Sequence, residues 1–180
     1  LLYKLEAYGI RGIVNDWFKS YLHNRRQFIT IGTLVAWGLK KKLLNGVPQG
    51  SVLGPLLFLL YINDFKNSSD LFDFHLFADD SNLFFAHENL KHLEQLVNVH
   101  LDNLYTWLCA NILSLNAKKT NYVIFHPPQK KLVYNPKLFL SKPALMQEKC
   151  VKYLGIYIDP NPNSRRCEQQ LSTSIILHSR

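Results

Sequence analysis

Asp79 and Asp80 stand side by side in an apolar run, with Phe77 before them and Leu83, Phe84 and Phe85 after. Burial disfavours a carboxylate, and a second carboxylate beside it disfavours it again. A positive partner is therefore expected here. Mg2+, a hard cation that takes oxygen ligands, would offset the repulsion. At a hairpin turn both carboxylates can approach one point, although successive side chains along a strand face opposite ways. The plain alternative is a polar turn, since Asp is common in turns. The surrounding apolar surface counts against it.

Two further stretches carry usable chemistry. In GVPQG (residues 46–50), followed by Ser51, two glycines and a proline fix an unusual backbone path. Its N–H groups and the Gln49 amide can contact a nucleotide or a template backbone. Alone, it also reads as a tight turn before a helix. In LNAKKT (115–120), Lys119 sits just ahead of a strand, where it can contact a phosphate or donate a proton to a leaving group. A solvated basic turn is the plain alternative there.

The elements that must position these residues follow from periodicity. Residues 1–23 read as helix in two pieces, with Leu2, Leu5 and Tyr8 on one face before Gly9, then Ile13, Trp17, Phe18 and Tyr21. Residues 27–37 read as strand. Ser51 is expected to cap a helix that carries Pro55 in its first turn, runs through Ile62 and stops near Asn63. Residues 71–86 form the pattern of a β-hairpin around Asp79-Asp80. Leu90, Leu93, Val97, Leu101, Leu104 and Leu108 mark a helix over 88–110, ended by Asn111. Strands are expected at 120–126, 132–140 and 151–158. The order is mixed α+β, a sheet covered on one face by helices.

Charge is unevenly spread. Residues 1–45 carry a net +6, residues 46–111 a net −6, and residues 112–180 a net +8. An acidic middle between basic flanks fits a polyanion gripped at its edges and bridged by cations at its centre. The hydrophobic share of 47% is ample for a core and rules out a disordered chain. The longest apolar run, 52–62, is interrupted by Gly54 and Pro55 and falls short of the ~20 residues that span a bilayer. No basic segment with a cleavage site opens the chain. Cys109, Cys150 and Cys167, widely spaced, suggest a reducing compartment and neither a disulfide framework nor a zinc site.

In order and spacing, GVPQGSVLGPLLFLLYINDF, FADD, LSLNAKKTNYVIF and KYLGIYID resemble the reverse transcriptase domain of non-LTR (LINE-type, jockey-like) retrotransposons. The opening LLYKLEAYGIRGIVNDWFKSYLHNRRQFI resembles the helical stretch between that family's first catalytic motif and its glycine-rich one. The resemblance implies a polymerase palm over residues 1–163, with the start of a thumb or connection at 164–180. Its sheet would be antiparallel and backed by helices, with the aspartate pair on a central hairpin. The implied reaction is addition of deoxynucleotides, directed by an RNA template, to the 3′-hydroxyl of a DNA primer. Two Mg2+ ions about 3.5–4 Å apart would serve it. Asp79 matches the metal-binding aspartate and Asp80 its neighbour. Gln49, Gly50 and Ser51 match the nucleotide and template contacts, and Lys119 the lysine at the pyrophosphate. Tyr153, Leu154 and Gly155 match the primer support. Phe77 stands where retroviral relatives carry Tyr, as is usual in this branch.

Partners implied are template, primer and deoxynucleotide triphosphates, with no membrane, in the nucleus or cytoplasm. The chain opens on Leu1, and its one methionine is Met146, so an N-terminal truncation is expected. The family's first motif, with a further metal-binding aspartate, would end just before LLYKLEAYGI, and no acidic residue precedes Glu6. The chain alone is therefore expected to polymerise little or nothing. The alternative is a degenerate remnant that acts at most as a basic nucleic-acid-binding module. A missing sheet neighbour would also leave an exposed strand edge.

Overall fold

The computed structural model describes residues 1–23, 26–27, 30–31, 34–35, 41–42, 46–47, 50–78, 80–116, 119–126, 133–142, 144–153, 156–158 and 174–179. They divide into two units, Leu1–Asp64 and Phe65–Arg180.

The first unit opens with α1 (Leu2–Ala7) and α2 (Ile13–Leu22), the two helical pieces the periodicity predicts. Gly9 separates them at φ +90°, a conformation that glycine adopts without the Cβ clash other residues suffer. Short antiparallel ladders follow, β1 (Arg26–Gln27) with β4 (Lys41–Lys42) and β2 (Thr30–Ile31) with β3 (Leu34–Val35). The strand expected over 27–37 is present as these short pieces, and the rest of it lies outside the described residues.

Helix α3 (Gly54–Ile62) carries Pro55 in its first turn and ends at Asn63, as expected. Ser51 is not its cap. The Gly54 N–H bonds the Ser51 carbonyl at 3.2 Å, so a turn intervenes and Leu53 becomes the N-cap, without a side-chain bond. Lys4 fastens α1 to the end of α3. Its ammonium donates to the Tyr61 carbonyl at 2.7 Å, pairs with Asp64, and lies 4.7 Å from the Tyr61 ring centre.

The second unit is a sheet with one long helix. β5 (Asp73–Phe77) and β6 (Asp80–Ala86) form the expected hairpin. Helix α4 (Leu90–Ala110) buries the predicted stripe Leu93, Val97, Leu101, Leu104 and Leu108. The Asn89 carboxamide oxygen caps it, accepting the N–H groups of Lys91 (2.9 Å) and His92 (3.3 Å). Trp107 on α4 meets Phe65, and Phe65 and Phe72 both meet Phe74 of β5, so aromatic contacts join helix to sheet.

β7 (Asn121–Phe125) pairs in parallel with β8 (Met146–Gln147), and β11 (Ser174–Ser179) completes the sheet in the order β5-β6-β11-β7-β8. The hairpin expected at the centre thus lies on one side, with β5 outermost, because β11 takes the place beside β6. β6 is paired on both edges, with β5 and β11, and β5 and β8 end the sheet.

Two strand expectations are corrected. Residues 151–158 form two strands, β9 (Val151–Tyr153) and β10 (Ile156–Ile158), folded back on each other with Tyr153 opposite Ile156. Residues 133–138 form no strand. The Lys137 N–H finds a partner on α4 instead, the Glu94 carboxylate (3.1 Å), as does that of the adjoining Phe139 on the Asn98 carboxamide oxygen (2.8 Å). Pro136, which lacks an N–H, also suits a tethered loop better than a ladder.

Candidate functional site

Register fixes where Asp80 sits. Phe77 pairs with Asp80, so the strands are joined by a two-residue turn that includes Ala78. Two-residue hairpins require positive φ in the turn, and Ala78 adopts φ 52°, a strained value for a residue with a Cβ. Asp80 is half-buried at the start of β6, and Asp79 lies outside the described residues.

Cross-strand partners share a face, so Asp80, Asn82 and Phe84 lie on the same side of the sheet as Asp73, His75 and Phe77. The His75 ring packs edge-on against Phe84 at 4.9 Å and bonds Asp73 at 3.3 Å. Phe84 in turn meets Tyr153 edge-on at 6.2 Å. Beneath them Val123 and Val151 form a core with Phe84, Phe125 and Ile158. The strand β9 that carries Tyr153 therefore covers the face that carries Asp80.

β6 and β7 both run antiparallel to β11, hence parallel to each other, with Asn82 and Asn121 each opposite position 178. Asp80 and Lys119 consequently emerge at the same end of the sheet, about 10 Å apart laterally at two strand spacings. Lys119 is exposed, its N–H bonding the Asn116 carbonyl at 2.9 Å. So Asp80, Lys119 and Tyr153 belong to one construction. Leu154 and Gly155 lie outside the described residues.

Gly50 and Ser51 belong to the first unit, and Gln49 lies outside the described residues. Gly50 has φ 79° with open space where a Cβ would stand, so its glycine serves the backbone path. The Ser51 hydroxyl is buried without a hydrogen-bond partner, which leaves it able to bond a ligand.

Among the described residues, no group of three or more His, Cys, Asp or Glu side chains stands close enough to hold a metal ion. The described residues by themselves therefore do not fit the ion pair that the resemblance implies.

Sequence reasoning passed over Asn82 and Asn121. Asn82 is 1% exposed, and the Oδ1 of Asn121 is buried without a partner. The available signal was Asn inside two strand patterns, where it is disfavoured.

A family model described as reverse transcriptase (RNA-dependent DNA polymerase) matches residues 1–158. The probable RNA-directed DNA polymerase from transposon BS of Drosophila melanogaster is 29% identical over 168 residues, 85% of this chain and 18% of the relative. The probable RNA-directed DNA polymerase from transposon X-element, also from Drosophila melanogaster, is 27% identical over 78% of this chain and 15% of its own length. The RNA-directed DNA polymerase from mobile element jockey of the same organism is 25% identical over 78% of this chain and 16% of its own. The chain spans less than a fifth of the length of each of these relatives. No solved structure matches.

Proposed function

The chain belongs to the reverse transcriptase (RNA-dependent DNA polymerase) family, and from that premise we propose that it supplies the catalytic hairpin and nucleotide-facing turn of a retrotransposon polymerase. The reaction is deoxynucleotide addition to a DNA primer on an RNA template. The observation that carries this reading is Asp80 at the base of a strained two-residue turn, on the face that Tyr153 helps to cover and at the end of the sheet where Lys119 emerges. Asp79 and Asp80 are the carboxylates offered to Mg2+. Lys119 faces the phosphates, Tyr153 with Leu154 and Gly155 supports the primer end, and Gln49, Gly50 and Ser51 contact nucleotide and template.

Two carboxylates on one turn pin a pair of ions poorly, so residues 1–180 alone extend little or no primer. The basic flanks, net +6 over 1–45 and +8 over 112–180, suit the phosphates of template and primer. The site of action is inside the cell, where this polymerisation meets nuclear DNA or its cytoplasmic template.

A chimaera tests this reading. Residues 1–158 replace the matching segment of the transposon BS polymerase, and primer extension is measured on an RNA template with Mg2+. Extension that Asp79→Asn reduces at least 100-fold is the expected result. A folded chimaera that binds primer–template yet extends nothing would leave only the nucleic-acid-binding remnant.

A further inference from the structure

β5 and β8 end the sheet, and their outer edges are guarded differently. β8 is two residues long, too short to template another strand. β5 has five residues, Asp73-Phe74-His75-Leu76-Phe77, and neither the Lys nor the Pro that commonly blunts an edge. Leu76 and Phe77 at its turn end are 38% and 62% exposed. Among the described residues no strand pairs with this edge.

The ladder decides which groups the edge offers. Phe77 and Asp80 flank a two-residue turn, so they form a hydrogen-bonded pair, and bonded pairs alternate with non-bonded ones along the hairpin. Asp73, His75 and Phe77 therefore turn their N–H and C=O groups toward β6. Phe74 and Leu76 turn theirs outward.

A second copy of β5, arriving antiparallel about a two-fold axis, can bond these outward groups in three registers. With the axis at Leu76, His75 faces Phe77 and Asp73 runs past the end of the strand. With the axis at His75, imidazole faces imidazole and Asp73 faces Phe77. With the axis at Phe74, Asp73 of each copy faces His75 of the other, twice over. Those are non-bonded positions, where Cα atoms stand about 4.5 Å apart and side chains come closest. Both side chains are accessible, Asp73 79% and His75 51% exposed, and they already bond each other at 3.3 Å within one chain. Carboxylate and imidazole thus suit one another here, and the third register offers each a second partner.

We propose that the outer edge of β5 is a self-association surface. Two copies join β5 to β5 antiparallel about Phe74, which makes one continuous sheet of the two. Charge complementarity selects a second copy over an unrelated strand, because the same two residues supply both halves of both pairs. The edge is separate from the turn at Ala78, so this association holds whether or not the hairpin takes a cation.

Sedimentation equilibrium of the full chain in the micromolar range gives a dimer. Asp73→Lys sets lysine against histidine, His75→Asp sets aspartate against aspartate, and each weakens the dimer at least tenfold. Mixed in equal amounts, the two variants associate again. The new lysine then faces the new aspartate, and the retained Asp73 faces the retained His75. Both variants have lost the 3.3 Å bond within the chain, so only pairing between copies restores association. Leu76→Pro removes one outward N–H without touching a bond to β6, and it abolishes the dimer while the amides of α4 keep their hydrogen-exchange protection. In the unmodified chain the Phe74 and Leu76 amides gain protection as protein concentration rises, and those of His75 and Phe77 do not change. A chain that stays monomeric overturns the proposal, as does a mixture that stays monomeric. A dimer whose Phe74 and Leu76 amides exchange alike at every concentration is built on another surface and overturns it too.

Discussion

Helix α4 and the β5–β6 hairpin are adjacent in sequence and built on opposite principles. α4 follows the local rules of a helix in one apolar stripe, a side-chain cap from Asn89, and Asn111 at its end. The hairpin breaks several, with paired carboxylates, a buried Asn82, an alanine at φ 52° and Phe77 62% exposed. Such departures gather where a structure serves something other than its own stability. The difference suits a helix that holds the unit together and a hairpin that, on the proposed reading, is kept for chemistry.

Substitutions that strike the two regions differently test that division. Leu101→Ala empties a site only 2% exposed and is expected to cost about 2–5 kcal/mol in urea unfolding. Asp79→Asn, by contrast, removes one of two neighbouring like charges and is expected to leave stability level or slightly raised. Equal losses from both would erase the contrast. Next in size, Asn89→Ala removes the cap of α4 at a cost of about 1 kcal/mol. Ala78→Gly relieves the turn and gains under about 1 kcal/mol, since the relief is offset by the entropy of a freer unfolded chain. A loss there would mean that the turn is not strained.

The smallest effect is a pH dependence. Tyr134 donates to the Glu94 carboxylate, which, with burial and the carboxylate's charge, raises its pKa above the ordinary value of about 10. Burial, then Glu94, raises Tyr122 likewise. A raised pKa adds stability that is complete below the unfolded value and is lost as pH rises through the folded one. Unfolding midpoints of the unmodified chain should therefore fall above about pH 10, and Tyr134→Phe should blunt that fall.

What the sequence revealed divides along the same line. α4 was legible because its periodicity is local and one face wide. The hairpin was legible because two apolar strands bracket Asp79-Asp80. Residues 133–138 were misread because the Lys137 N–H is satisfied by Glu94, and that of the adjoining Phe139 by Asn98, about 40 residues distant, which no window along the chain reveals. The split of 151–158 between Tyr153 and Ile156 was missed because an apolar-rich run reads alike as one strand or two short ones. The pairing of Ser174–Ser179 between β6 and β7 is long-range, so nothing near that segment announces it. Nor did any motif mark Asn82 and Asn121 as a pair, since register alone brings them to one level.

The most direct test of the account is Mn2+ titration of the isotopically labelled full chain, followed by amide NMR. The account predicts paramagnetic broadening centred on residues 77–82, with the same signals left sharp in Asp79→Asn. Broadening spread evenly over the surface acids, or unchanged by Asp79→Asn, would contradict the hairpin's role as the cation site.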